Sequence, residues 1–63
     1  MDIKELAQLI ENILDHNKLD DGLEVMATHC YCNGVPLDEV SISVVNEEAE
    51  EVYNFTLTIT KDK

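Results

Sequence analysis

The sequence predicts a small α+β domain, in which a single N-terminal helix packs on one face of a three-stranded antiparallel meander (αβββ). Apolar residues recur every three or four positions near the N terminus, and three later segments alternate apolar and polar residues. The three alternations also agree with one another when the segments are paired as consecutive hairpins. With 63 residues, the chain has the size of one domain, so residues 1–63 are expected to fold as a single unit.

The first predicted element is an amphipathic helix over residues 2–17. Asp2, followed three residues later by Glu5, has the pattern of a capping box at the helix start. The helix is expected to end near residues 16–18, before the turn signal at residues 20–22. Its predicted sheet-facing residues are Ile3, Leu6, Leu9, Ile10, Ile13 and Leu14.

Three strands are predicted over residues 23–32, 37–45 and 52–60. The first two are joined either through Asn33-Gly34, the strongest short hairpin signal in the chain, or through the longer Asn33–Pro36 loop, since Pro36 cannot donate a ladder hydrogen bond. The second and third are joined by the polar, acidic loop of residues 46–51. Together the three strands give a meander with one apolar face.

The hairpins predict a specific register. Pairing through Asn33-Gly34 matches residues whose numbers sum to about 67, and pairing through residues 46–51 gives a sum of about 97. A slip of one residue would send either apolar set to the opposite face. The predicted sheet core is Leu23, Val25, Ala27, Val40, Ile42, Val44, Tyr53, Phe55, Leu57 and Ile59.

The charge balance restricts the classes of partner. Fourteen Asp and Glu residues stand against four Lys residues, and the net charge is −10. Direct binding to nucleic acid is disfavoured because phosphate contacts need Lys and Arg, and an anionic membrane surface is disfavoured for the same reason. A protein partner with a basic surface would be attracted from a distance.

Two acidic groups form the predicted partner-binding site. One surrounds the end of the helix and the start of the first strand, and the other is the loop of residues 46–51. Strand order brings both toward the same end of the sheet, although a solvated loop that only maintains solubility is the competing interpretation. The candidate partner-binding residues are Asp15, Asp20, Asp21, Glu47, Glu48, Glu50 and Glu51.

The sheet face turned away from the helix is the second candidate surface. Glu24 and Glu39 are its only predicted charged positions, whereas the chain as a whole is strongly acidic. A plain solvated face rich in Ser and Thr is one interpretation, and a homodimer contact that supplements a small core is the other. The candidate oligomer residues are Met26, Thr28, Cys30, Ser41, Ser43, Thr56 and Thr58.

No catalytic, metal or cofactor site is predicted, and the chain is expected not to be an enzyme. Cys30 and Cys32 point to one face of a strand and His29 to the other, so one metal ion cannot reach all three. The same pleat separates His29 from the Cys30 thiol that it would have to activate. Reduced thiols, together with the lack of a secretory signal or membrane span, predict a cytoplasmic location.

In size, charge sign and lack of catalytic motifs, the chain resembles the general class of small phage-encoded host-takeover proteins. That class includes anti-CRISPR and other anti-defence inhibitors, and the resemblance is one of composition, without a shared motif. It implies an inhibitor or regulator that docks on a basic, nucleic-acid-binding surface of a protein in the host cytoplasm. The alternative is a structural or regulatory homo-oligomer that works through the charge-poor sheet face and is acidic only for solubility.

Overall fold

The computed structural model describes residues 2–62 and contains one helix and one antiparallel sheet. Their bounds are α1 (Ile3–Leu14), β1 (Asn17–Lys18), β2 (Glu24–Cys32), β3 (Val35–Val45) and β4 (Glu51–Thr58). The sheet has the order β1-β2-β3-β4, and a 3-10 turn (Asp20–Gly22) joins β1 to β2. The α+β class with an N-terminal helix is therefore confirmed, whereas the prediction of three strands is wrong because β1 adds a fourth.

Local backbone geometry explains both the helix and the additional strand. The Asp2 carboxylate caps α1 by accepting a hydrogen bond from the Glu5 backbone N–H at 2.8 Å. After α1, His16 adopts a left-handed conformation with φ of 63° and turns the chain back. Asn17 then pairs with Val25 on β2. A two-residue strand carries no alternation, so the sequence pattern could not reveal it.

The first hairpin turns at Asn33 and Gly34, the shorter of the two predicted loops. Both residues have positive φ, 50° and 81°, as a two-residue turn matched to the sheet twist requires. Cys32 pairs with Val35, but farther along β2 the partner of Ala27 is Ile42 rather than the predicted Val40. The register shifts between His29 and Tyr31, where β3 carries extra residues. The shift is an even number of residues, so the predicted face of each side chain is retained.

The second hairpin has the predicted register. Val40 pairs with Leu57, Ile42 with Phe55, and Val44 with Tyr53. After the pair of Val44 and Tyr53, the ladder shifts by one residue, and Val45 pairs with Glu51. The intervening Val52 is therefore the additional residue of a β-bulge.

The core is smaller than the sequence predicts. Its buried members are Ala7, Ala27, Val40 and Ile42, against which Ile10, Leu14, Val25 and Ile59 pack. Tyr53, Phe55 and Leu57 were expected in this core, yet every residue of β4 is exposed. The physical reason is the width of the helix, since a cylinder about 10–12 Å across covers about two strands spaced about 4.8 Å apart. Here those strands are β2 and β3.

Helix side chains also hydrogen-bond the edge of β2. The Ala27 N–H donates to Oδ1 of Asp15 at 3.0 Å, and the His29 N–H donates to Oε1 of Glu11 at 2.5 Å. Residues two apart lie about 200° apart around a helix. Leu9 lies two positions before Glu11, and Ile13 lies two positions before Asp15. Since the two carboxylates face β2, Leu9 and Ile13 lie on the other flank of α1, toward β4.

His29 is a buried polar residue between the helix and the sheet. Only 3% of the residue is exposed. Its Nε2 donates to the Leu37 carbonyl at 2.6 Å, and its Nδ1 lies 3.3 Å from Oε1 of Gln8. Tyr31, two residues along the same strand, is exposed, with its ring centroid 5.0 Å from that of His29.

Candidate functional site

Two acidic turns meet at one end of the sheet. The Glu47 side chain packs against Gly22 so closely that a Cβ added to Gly22 would collide with the Glu47 carboxylate. The 3-10 turn and the loop after β3 are therefore in direct contact. We call this surface the acidic end; its carboxylates belong to Asp20, Asp21, Glu47, Glu48, Glu50 and Glu51, all of them exposed.

Asn46 holds the loop of the acidic end in a defined shape. Its Oδ1 accepts hydrogen bonds from the backbone N–H groups of Glu48 and Glu50, both at 3.0 Å. The Asn46 backbone N–H donates to the Glu50 carbonyl at 3.0 Å, and Ala49 adopts a left-handed φ of 62°. These hydrogen bonds define the path of the loop backbone, and the four glutamates of the loop remain exposed.

Asp15 belongs to the helix–sheet contact rather than to the acidic end. It is half-buried, and its Oδ1 accepts a hydrogen bond from the Ala27 backbone N–H. The Asp15 carboxylate also lies 3.5 Å from Nε2 of His16. Of the seven predicted partner-binding residues, the remaining six are the ones that the structure places together at the acidic end.

A groove within the acidic end carries basic and apolar groups beside the carboxylates. His16 Nδ1 lies 2.9 Å from Oε2 of Glu24. This hydrogen bond, with the nearby charge of Asp15, raises the pKa of His16 above its usual value. Lys18 and Leu19 also line the groove, and Leu19 is 49% exposed. The acidic end thus combines a negative rim with an accessible apolar side chain.

The predicted oligomer residues lie in rows across the sheet face opposite the helix. Met26 pairs with Ser43, and Thr28 pairs with Ser41, which pairs in turn with Thr56. Cys30 faces the irregular stretch of β3 and has no paired residue in the ladder. These side chains are exposed or half-buried. Thr58 completes the face by pairing with Glu39.

The described residues contain few groups that suggest bound metal or catalysis. Cys30 and Cys32 are both free thiols. In the range 2–62, no group of three or more His, Cys, Asp or Glu residues is placed to hold a metal ion. Over the same range, no buried side-chain nitrogen or oxygen lacks a hydrogen-bond partner. None of the helical structure in the described chain is long and apolar enough to cross a membrane.

Sequence reasoning missed an apolar surface on the helix side of the sheet. Its members are apolar side chains that α1 leaves uncovered. The sequence does carry a signal for this surface, because it predicts one helix and three strands. One helix is too narrow to cover a third strand. We call this surface the β4 apolar face; it consists of Leu9, Ile13, Tyr53, Phe55 and Leu57.

Fold and surface together define a small acidic α+β domain with an acidic end, a charge-poor sheet face and an exposed apolar face. The chain matches no protein-family model, no curated protein and no solved structure.

Proposed function

We propose that the protein is a protein-binding inhibitor or regulator, not an enzyme, whose acidic end docks on a basic surface of its partner. The observation that carries this proposal is the contact between Gly22 and Glu47, which unites two acidic turns in one surface. A net charge of −10 speeds encounter with a basic partner and disfavours most other surfaces.

Charge alone would not hold such a complex together. Exposed ion pairs contribute little to affinity, typically well under about 1 kcal/mol each. Binding energy comes mainly from desolvated anchor side chains near the centre of a contact. Leu19 suits that role because it is half-exposed within the groove of the acidic end. The carboxylates would then steer the encounter and fix its orientation.

The basic surface that best fits an acidic docking element is one that otherwise binds nucleic acid. Such surfaces concentrate Lys and Arg to contact phosphates, and a rim of carboxylates can compete for the same contacts. The protein would then act by occlusion, as expected of a phage-type anti-defence (anti-CRISPR-like) protein in a host cytoplasm. Its target would be a nucleic-acid-binding protein.

The test compares two triple variants of equal charge change. Glu47, Glu48 and Glu50 are replaced by Gln in the first variant. Glu5→Gln, Asp38→Asn and Asp62→Asn, all exposed positions outside the acidic end, form the matched control. Nucleic-acid-binding proteins captured from a bacterial lysate at low salt are identified by mass spectrometry, and displacement of their nucleic acid is measured.

The proposal expects capture to weaken at least about tenfold in the first variant, with little change in the control. Added salt should weaken capture by the unmodified chain. Equal capture by both variants would show that only net charge matters and would remove the acidic end from the account.

A second candidate is a structural or regulatory homodimer that joins through the sheet face opposite the helix. The observation in its favour is the row of small, uncharged residues that pair across β2, β3 and β4. Met26→Lys or Thr58→Lys should then abolish assembly without changing the circular dichroism spectrum. Assembly that survives both changes would exclude this face.

A further inference from the structure

β4 is an edge strand, and one side of its backbone has no partner within the described sheet. Ile59 donates its N–H to the Asp38 carbonyl of the preceding strand region at 2.9 Å. Antiparallel pairs alternate between hydrogen-bonded and non-hydrogen-bonded positions. The odd-numbered residues of β4 after its bulge therefore bond to β3, so Asn54, Thr56 and Thr58 direct their N–H and C=O groups away from the sheet.

The exposed side chains of the β4 apolar face adjoin this free edge. Tyr53 is 64% exposed and Phe55 52% exposed, although both lie on the helix side of the sheet. Leu9 and Ile13, on the β4-facing flank of α1, form the other wall. An open edge strand bordered by apolar side chains pairs readily with another strand. Natural proteins therefore usually block or cover such an edge.

The exposed area of the β4 apolar face is substantial. A fully buried aromatic side chain covers about 150–250 Å², so this partly exposed set presents roughly 500 Å² per copy. Antiparallel pairing of two β4 edges would place the two apolar sets side by side on one face of a continuous sheet, where side chains contact each other across the junction. The unpaired backbone groups of both edges would be satisfied at the same time.

The distribution of charge along β4 favours one relative direction for two paired β4 strands. The acidic end lies at the start of β4, whereas Lys4 and Lys61, together with the single carboxylate of Asp2, lie beside Ile59 at the other end. Parallel pairing of two β4 strands would bring the acidic ends together and repel. Antiparallel pairing sets each acidic end beside the lysines of the partner, which is the favourable arrangement.

We propose that two copies of this chain form a homodimer by antiparallel pairing of their β4 edges, with the β4 apolar faces side by side on one face of a continuous sheet. A two-fold axis at Thr56 sets Phe55 opposite Leu57 and Tyr53 opposite Ile59. Each apolar residue then meets an apolar residue, and the outward N–H and C=O groups of Thr56 pair with their symmetry equivalents. The centre of this contact at Thr56 lies outside the acidic end, and only Glu51 belongs to both surfaces. Substitutions at Thr56 and Tyr53 leave every carboxylate of the acidic end in place, so failure of the dimer and failure of the proposed function are distinguishable.

The first test measures molar mass by light scattering, with Thr56→Pro as the disrupting variant and Thr56→Val as its control. Proline removes the outward N–H but leaves the bonds to β3, because the Thr56 N–H does not face β3. The full chain and Thr56→Val should show twice the mass of 7.1 kDa. Thr56→Pro should dimerise at least about tenfold more weakly.

A second variant distinguishes loss of the dimer contact from loss of the fold. Tyr53→Lys places a cation on the β4 apolar face at a well-exposed position and lowers the net negative charge. Weaker dimerisation of Tyr53→Lys therefore cannot come from added like-charge repulsion, and an unchanged circular dichroism spectrum shows that the fold survives. Met26→Lys, on the opposite sheet face, should leave the dimer intact.

A covalent test fixes the register. In a chain with Cys30→Ser and Cys32→Ser, Thr56→Cys should form a disulfide-linked dimer on mild oxidation, since paired residues across the axis lie about 5.5 Å apart. Thr28→Cys in the same background should not. A monomer at about 1 mM, a dimer that persists in both Thr56→Pro and Tyr53→Lys, or preferential crosslinking through Thr28→Cys would each overturn the proposal.

Discussion

The carboxylate of Glu11 in α1 accepts a hydrogen bond from the backbone N–H of His29 in β2, at 2.5 Å. Asp15, one helical turn later, makes the equivalent bond to Ala27 at 3.0 Å. β1 is too short to pair with this part of β2, so helix side chains take the place of a neighbouring strand. Two backbone donors that would otherwise lack a partner within the sheet are satisfied in this way.

Glu11→Ala should lower the free energy of unfolding by about 1–3 kcal/mol, because it leaves a half-buried backbone donor without its charged acceptor. Asn12→Ala is the control, since it introduces alanine at the next helix position, where the side chain is exposed. It should stay within about 0.5 kcal/mol. Urea denaturation of both variants checks the prediction, and equal losses would show that the Glu11 bond adds nothing.

His29→Leu should also destabilise the fold, by about 1–3 kcal/mol. Leucine fills much of the space of the imidazole but cannot donate to the Leu37 carbonyl, which His29 Nε2 reaches at 2.6 Å. Cys32→Ser, at an exposed position of the same strand, should change stability by no more than about 0.5 kcal/mol. Thermal and urea unfolding give the comparison. A neutral or stabilising His29→Leu would mean that the buried polar contact is not needed.

Stability should depend on the protonation of His16. Its pKa is raised in the folded state by the hydrogen bond to Glu24 and by the charge of Asp15. Protonation therefore favours folding: the contribution is fully present below the unfolded pKa of 6.5 and is lost as pH rises through the folded pKa.

His16→Asn is the control for this pH dependence, because Asn tolerates the positive φ found at this position. Urea midpoints are measured for both chains from about pH 5.5 to about pH 8.5. The difference between the unmodified chain and His16→Asn should shrink toward alkaline pH. A difference that is constant, or that grows with pH, would contradict the ion-pair assignment.

Ala49→Gly should stabilise the protein by up to about 1 kcal/mol. Ala49 has a φ of 62°, a conformation that costs an L-residue about 1–2 kcal/mol and costs glycine little. The contrasting change is Ala7→Gly, at a buried helical position, which should destabilise by about 1 kcal/mol or more. Chemical denaturation of the two variants gives opposite signs if the loop backbone is as described. Destabilisation by Ala49→Gly would be inconsistent with it.

The sequence predicts face and register better than burial. Alternation over residues 53–57 places the apolar side chains of Tyr53, Phe55 and Leu57 on the helix side of the sheet, opposite the expected residues of β3. Alternation does not say how far the helix reaches, so the same residues were wrongly expected in the core. Hydrophobic pattern specifies a side-chain direction, whereas burial depends on what covers that direction.

Features that depend on single backbone conformations were less predictable. β1 follows from the left-handed turn at His16, and the shifted first hairpin follows from the irregular stretch of β3. Neither has a periodic signature. The contact between Gly22 and Glu47 joins residues far apart in sequence, and only the order of the strands indicated that their loops would be neighbours.

The most direct measurement of the central claim is an NMR titration of the isotope-labelled full chain with a short Lys- and Arg-rich peptide, at low and high salt. If the acidic end is one docking surface, amide shifts at residues 20–22 and 46–51 should change together, with a common dissociation constant that weakens in salt. Shifts spread over all exposed carboxylates, or confined to only one of the two turns, would contradict it.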